Sequence, residues 1–104
     1  MDVRIKDIIK FIKKMDPDSD LFNCEVYDHV ILTIELLKGN HGLDSYNITK
    51  KDNKMTIFGH YNLPDDDVLV NTDKNPRVDI TGMCPQQIFN IMMKMYEDDH
   101  RVAY

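Results

Sequence analysis

The side chains of this chain that could do chemistry are few and lie far apart in the sequence. Cys84 is the strongest candidate, because it lies just before Pro85 at the predicted start of a helix, where backbone amides can lower the pKa of a thiol. Cys24, the second of two cysteines, has no metal-ligand or redox spacing with Cys84. Free cysteines are commonly buried in the core. The sequence therefore favours two structural thiols over a catalytic one.

The remaining polar residues form no recognisable catalytic or cofactor-binding motif. Ser19 and Ser45 lack a nucleophile-elbow context, no two of the four histidines are spaced i, i+4, and the glycines form no phosphate-binding loop. We predict that the chain is not an enzyme and that it binds no metal or cofactor. Distant residues can still converge in three dimensions, so a small enzyme without a sequence motif stays an alternative.

The clearest structural element is a hairpin between residues 43 and 61. Asp52 and Asn53 suit the centre of a two-residue turn, because both residue types tolerate a left-handed backbone. The resulting register pairs Lys50 with Met55, Ile48 with Ile57 and Tyr46 with Gly59. Side chains alternate across a strand, so this register gathers four apolar residues on one face: Tyr46, Ile48, Met55 and Ile57.

Two helices are predicted before the hairpin. Isoleucines at helical spacing predict an amphipathic helix from Val3 to Met15, with Asp2 as its cap. The segment from Leu21 to Lys38 fits either structure: its apolar residues alternate as in a strand, but they also gather on one side of a helical wheel. Its length and a glycine after Lys38, which suits a helix end, favour a helix.

After the hairpin, the pattern predicts short strands at 68–70 and 78–80, separated by polar turns at 63–67 and 71–76. Pro85 then begins a closing helix that ends near 97–99, followed by a tail at 100–104. We therefore expect a single α+β domain spanning residues 1–104. It has two N-terminal helices, an antiparallel sheet of about four short strands containing the hairpin, and a closing C-terminal helix.

The net charge of −5 is unevenly distributed along the 104 residues. The first fourteen residues carry a net charge of +3 and the remainder −8. An acidic body disfavours general binding to nucleic acid, because contacts to phosphate dominate that affinity. We expect no membrane-spanning segment and no signal peptide, and therefore a cytoplasmic protein. Abundant isoleucine, asparagine, lysine and aspartate with a single alanine, Ala103, suggest an AT-rich genome such as many phages, viruses and some bacteria have.

The functional prediction rests on acidic surfaces. Glu25, Asp28 and Glu35 share one face of the predicted second helix, and a second acidic group lies in a predicted turn: Asp65, Asp66 and Asp67. Adjacent aspartates cannot all converge on one cation, so this turn is better interpreted as a solvated surface. Carboxylates of this kind can steer a basic partner into contact. We predict a small acidic regulator or inhibitor, phage- or virus-encoded, that binds a basic host protein which handles nucleic acid, in the host cytoplasm. The oligomeric state stays open.

A nucleic-acid-binding domain is the alternative from a different functional class. It would use the basic first helix together with lysines at the tip of the hairpin: Lys50, Lys51 and Lys54. Binding of this kind weakens steeply as salt rises, which distinguishes it from the protein-binding hypothesis.

Overall fold

The fold, taken from a computed structural model, is a five-stranded antiparallel sheet with one helix before it and one after it. The structure describes residues 2–28, 30–40, 43–61 and 77–102. Its elements in chain order are α1 (Val3–Met15), β1 (Phe22–Tyr27), β2 (Ile31–Asn40), β3 (Leu43–Lys51), β4 (Lys54–Tyr61), β5 (Val78–Asp79) and α2 (Pro85–Val102). The predicted α+β class is confirmed.

The sheet follows the chain, with strand order β1-β2-β3-β4-β5 and antiparallel pairing throughout. The predicted β3–β4 register is confirmed, since Ile48 lies opposite Ile57 and Tyr46 lies opposite Gly59. Asp52 in the connecting turn has a φ of 56°, the left-handed conformation that a tight hairpin turn requires.

The second predicted helix, Leu21 to Lys38, is wrong. This segment forms β1 and β2, which pair with each other through a turn in which Asp28 has a φ of 51°. Leu32 and Ile34 point into the core while Thr33 and Glu35 lie on the other face, so the alternating pattern was the informative one. The glycine after Lys38, interpreted as a helix end, lies within β2. β2 pairs with β3 on its other side, and this tertiary pairing outweighs a weak helical preference.

Helix α1 is confirmed at its predicted bounds. Asp2 caps it, because its carboxylate accepts a hydrogen bond from the Arg4 amide at 2.8 Å. The same carboxylate group pairs with Lys50 Nζ at 2.7 Å, which ties the start of the helix to the tip of the β3–β4 hairpin. Phe11 packs edge-on against Phe89 of α2, with ring centroids 5.7 Å apart.

Helix α2 begins at Pro85 as predicted, with Cys84 as the residue before it. The Ile88 amide donates to the Cys84 carbonyl at 3.1 Å, and the Cys84 amide donates to Gln87 Oε1 at 3.0 Å. The helix continues to Val102, beyond the predicted end at 97–99, because no proline or glycine interrupts it and acidic residues near a helix end weaken it only modestly. The predicted strand at 68–70 and the turns at 63–67 and 71–76 lie outside the described residues.

Both helices pack on one face of the sheet, and the core lies between them and the strands. Tyr46 crosses this core, since its buried hydroxyl donates to the Met92 carbonyl of α2 at 2.7 Å. The buried apolar residues form a single cluster: Ile5, Ile8, Ile12, Phe22, Leu32, Ile34, Leu43, Tyr46, Ile48, Met55, Ile57, Ile80, Ile88 and Met92. The core therefore lies on one side of the sheet, and no described helix packs on the opposite side.

Candidate functional site

The outer face of the sheet, opposite α1 and α2, is the candidate binding surface. Strand alternation and register place the following side chains on it: Asn23, Glu25 and Tyr27 of β1, Ile31, Thr33 and Glu35 of β2, Asn47 and Thr49 of β3, and Thr56 and Phe58 of β4. No described helix covers this face. Its polar and aromatic composition contrasts with the aliphatic core on the other side of the same strands.

Glu25 is the hydrogen-bonding centre of the β1 part of the outer face. Its carboxylate accepts a hydrogen bond from the Tyr27 hydroxyl at 2.5 Å and a longer one from Asn23 Nδ2 at 3.4 Å. The hydrogen bond to Glu25 raises the pKa of the Tyr27 hydroxyl, and the negative charges of Glu25 and Glu35 act in the same direction. The phenol therefore stays protonated as a donor beside two carboxylates.

The three carboxylates that were predicted to share a helical face lie on two strands and in the turn between them. Glu25 lies opposite Thr33, and Glu35 lies opposite Asn23, so the two glutamates are diagonal neighbours on adjacent strands. Asp28 lies apart from them in the exposed β1–β2 turn. The predicted helical face is thus wrong, although Glu25 and Glu35 still share one surface. The second predicted group, Asp65, Asp66 and Asp67, lies outside the described residues.

Exposed apolar side chains flank the two glutamates. At one end of the β1–β2 hairpin, Tyr27 and Val30 are 49% and 38% exposed. At the other end, Leu21 and Leu37 are 45% and 47% exposed, and the Leu37 amide donates to the Leu21 carbonyl at 2.9 Å. The hairpin therefore carries two carboxylates in the middle of its outer face and a pair of exposed apolar side chains at each end.

The far side of the outer face is electrostatically different. The Arg77 guanidinium lies over the Phe58 ring, 4.2 Å from its centroid, which shields an aromatic surface from solvent and places a cation there. Between the two sides, the Thr33 hydroxyl donates to Asn47 Oδ1 at 2.9 Å. The outer face therefore carries two glutamates at β1–β2 and neutral polar side chains in the middle. Beside β4 it carries one cation, Arg77, and one carboxylate, the exposed Asp79 opposite Thr56.

The basic surface proposed for nucleic acid is only partly free. Lys50 is engaged with Asp2, whose pKa is lowered chiefly by this hydrogen bond. Lys51 and Lys54 are exposed at the hairpin tip, near the start of α1. Lysines on the exposed side of α1 continue the basic character: Lys6, Lys10, Lys13 and Lys14.

Few described groups are arranged for chemistry. Burial raises the pKa of the Cys24 thiol, which disfavours the reactive thiolate, and Cys84 is exposed at the helix cap. His60 Nδ1 lies 2.7 Å from Asp44 Oδ1 in a largely exposed pair. Within residues 2–28, 30–40, 43–61 and 77–102, no three metal-ligating side chains cluster, and no helix is long and apolar enough to cross a membrane.

The sequence analysis did not predict that the apolar residues flanking Glu25 and Glu35 are exposed. Tyr27, Val30 and Leu37 belong to the apolar residues that fit one side of a helical wheel, but the structure exposes all three. The alternation of Ile31, Thr33 and Glu35 with buried neighbours was the available signal, since it marks a half-exposed strand. No known family model, curated protein or solved structure matches the chain.

Proposed function

We propose that this domain is a protein-binding regulator that engages a basic partner through the outer face of the β1–β2 hairpin. One observation carries the proposal: four of the six strongly exposed large apolar side chains in the described part of the chain belong to this hairpin. They flank Glu25 and Glu35. An apolar pair at each end of one hairpin, with two carboxylates between the pairs, offers a partner apolar and charged contacts on the same surface.

The charged and apolar groups have different tasks in this proposal. Glu25 and Glu35 are exposed, so they act mainly on the rate and specificity of encounter with a basic surface. Tyr27 supplies a rigid apolar anchor with few rotatable bonds, the kind of residue that carries binding energy at interfaces. Its hydrogen bond to Glu25 holds the ring in place before the partner arrives.

The proposed partner is a basic host protein that handles nucleic acid. The domain would regulate this protein by blocking its nucleic-acid-binding groove. The support is the net charge of −5 together with the acidic side of the outer face. We also propose that a second acidic group contributes to binding: Asp65, Asp66 and Asp67. The proposal of a phage or viral source rests on amino-acid composition alone.

Affinity capture with a charge-reversed variant tests this function. The parent chain, immobilised at low salt, is expected to retain a stoichiometric basic protein from nuclease-treated host lysate. Glu25→Lys with Glu35→Lys should slow association of that protein roughly tenfold and reduce its sensitivity to salt. The matched control is Asp7→Lys with Glu97→Lys, which changes the net charge equally at exposed positions on the two helices.

The two variants separate the outer face from general charge. Equal association of both double variants with the captured protein would mean that net charge alone acts, and the hairpin would lose its role. Tyr27→Ala adds an independent arm: it should increase the dissociation rate, because an anchor residue acts after encounter. Capture of the protein from untreated lysate but not from nuclease-treated lysate would instead indicate a bridging nucleic acid.

A further inference from the structure

The outer edge of β1 has unpaired backbone groups. β1 is the end strand of the sheet, and in the described part of the chain no strand pairs with its second side. The Leu37 amide donates to the Leu21 carbonyl, and the Val30 amide donates to the Tyr27 carbonyl. Since backbone direction alternates along a strand, the Leu21 carbonyl and the backbone groups of residues 23, 25 and 27 face β2, and those of residues 22, 24 and 26 face outward.

Asp16 satisfies the first of these outward amides and leaves the next two available. Its carboxylate accepts hydrogen bonds from the amides of Leu21 and Phe22, each at 3.0 Å. The amides of Cys24 and Val26 lie farther along the same edge. An extended chain placed beside β1 could therefore exchange backbone hydrogen bonds with Cys24 and Val26 and add a sixth strand.

A cavity beside this edge can receive side chains from such a strand. It has a volume of about 490 Å³, within the usual range of binding pockets, and it lies between α1 and β1. Apolar groups of Ile9, Ile12 and Val26 contribute to its wall, together with the Cys24 thiol, which burial keeps neutral. Lys13 provides a cation in the lining. The inward side chains of an added strand would enter this cavity.

The outward side chains of an added strand would lie next to the acidic part of the outer face. Asn23, Glu25 and Tyr27 are the β1 residues on that face. Opposite charges on neighbouring strands stabilise a sheet, so the positions beside Glu25 suit lysine or arginine. An added strand of alternating apolar and basic residues would therefore place its apolar side chains against the apolar part of the cavity wall and its cations beside the Glu25 carboxylate. Asp16, Ser19 and Asn23 contribute polar groups to the same lining.

We propose that the partner is bound by strand addition: an extended segment with apolar residues inward and lysine or arginine outward pairs antiparallel with β1. This rests on the proposed function and specifies how the same hairpin recognises its target. A second copy of this chain fits the edge less well, because pairing two β1 strands brings the Glu25 carboxylates of both copies onto one face.

Amide hydrogen exchange with a defined peptide tests the backbone pairing directly. The probe is an acetylated, amidated peptide of alternating valine and lysine, long enough to span Phe22–Tyr27. Saturating peptide should slow exchange at Cys24 and Val26 by about tenfold or more, because their amides become hydrogen-bonded. The amides of Asn23 and Glu25 already face β2 and should change little.

Backbone methylation of the peptide provides the matched control without altering the protein. In an antiparallel pair, the valines opposite Cys24 and Val26 use their own amides to bind β1, whereas the lysine amides point away. N-methylation of the valines should weaken binding about tenfold or more, and N-methylation of the lysines should be tolerated. Equal binding of the two methylated peptides would overturn strand addition.

Val26→Pro tests the same edge from the protein side. Proline removes an amide that faces outward, so the β1–β2 pairing keeps its hydrogen bonds, and an edge strand tolerates the residue. The variant should retain the parent circular dichroism spectrum and lose the peptide. If the variant fails to fold, binding of the N-methylated peptides to the parent protein tests strand addition instead.

The outcomes distinguish this inference from the proposed function. If the natural partner is lost with Glu25→Lys and Glu35→Lys but its binding leaves exchange at Cys24 and Val26 unchanged, the outer face binds and strand addition is wrong. No binding of the valine–lysine peptide at millimolar concentration also overturns it. Self-association that protects Cys24 and Val26 without peptide would assign the edge to a second copy and overturn the proposal.

Discussion

The two long hairpins of the sheet are built on the same alternation but have opposite surroundings. β3–β4 lies inside the sheet, with β2 on one side and β5 on the other, and its inward side chains Tyr46, Ile48 and Ile57 are fully buried. β1–β2 lies at the edge, where β1 has a partner on one side only and Tyr27 is half exposed. The central hairpin therefore has strand neighbours on both sides, whereas the edge hairpin shares only β2 with the rest of the sheet and leaves the second side of β1 without a strand in the described part of the chain.

The two hairpins differ because their strands have different numbers of neighbours for backbone hydrogen bonds and different environments for their side chains. A strand with two neighbours has its hydrogen bonds used on both sides, so a substitution there disturbs core packing and two ladders at once. An end strand keeps one row of donors and acceptors, and changes on its outer face meet solvent. Stability and binding should thus respond to different substitutions.

The largest effect is expected from a buried charge in the central hairpin. Ile48→Asp should reduce the free energy of unfolding by at least about 4 kcal/mol, because the side chain is fully buried among aliphatic groups. Ile31→Asp makes the same chemical change on the outer face of β2 and should cost much less. Urea unfolding monitored by circular dichroism compares the two; similar losses would show that the outer face is as closed as the core.

The next effect concerns Asp16, which organises the entry into the edge hairpin. Desolvation raises the pKa of this carboxyl, but hydrogen bonds from the amides of Phe22, Leu21 and Asp20 outweigh it and the net pKa is lowered. A lowered folded pKa stabilises the protein above the unfolded value of about 4 and loses that contribution as pH falls through the folded value.

Asp16→Asn should therefore destabilise the chain at pH 7 and do so much less at pH 3. Asparagine keeps the shape but has one acceptor oxygen where the carboxylate uses two. Thermal unfolding across this pH range measures the effect, and Asp18→Asn is the control at an exposed position of the same loop. A constant difference between parent and variant at both pH values would contradict the role of the charge.

A smaller effect is expected from removing single hydroxyl groups in the two hairpins. Tyr46→Phe loses the buried hydrogen bond to the Met92 carbonyl and should reduce the free energy of unfolding by about 1 kcal/mol. Tyr27→Phe removes an exposed hydroxyl that binds Glu25 and should leave the unfolding midpoint unchanged. A larger loss from Tyr27→Phe would reverse the assignment of stability and binding to the two hairpins.

The central hairpin could be predicted because its information is local. Asp52 and Asn53 set the turn, and the alternation on both sides agrees with the register that the turn imposes. In β1–β2 the apolar residues fit both a helical and a strand period, so local pattern alone did not decide. Pairing with β3 makes this segment a strand, and β3 lies later in the sequence than the segment itself.

The candidate site was predictable only in its chemistry. Glu25 and Glu35 could be selected as acidic surface residues, but their shared face depends on strand pairing. The unpaired side of β1 depends on strand order, which no short window of sequence contains. The exposure of Tyr27 and Leu37 follows from the same strand geometry, so these apolar groups could be separated from core residues only by preferring the strand pattern to the helical one.

The smallest structural effect is expected from Glu25→Gln, which nevertheless reports on the edge hairpin directly. The substitution keeps the size of the side chain and removes its charge, so stability should be unchanged. The hydrogen bond and charge of Glu25 raise the pKa of Tyr27, and the variant should therefore lower that pKa toward its ordinary value. Titration of the tyrosine ring signals by nuclear magnetic resonance measures the change, with Glu97→Gln as the control on α2. An unchanged Tyr27 titration would mean that the phenol and carboxylate do not associate in solution, and Tyr27 would then reach a partner without being held in place beforehand.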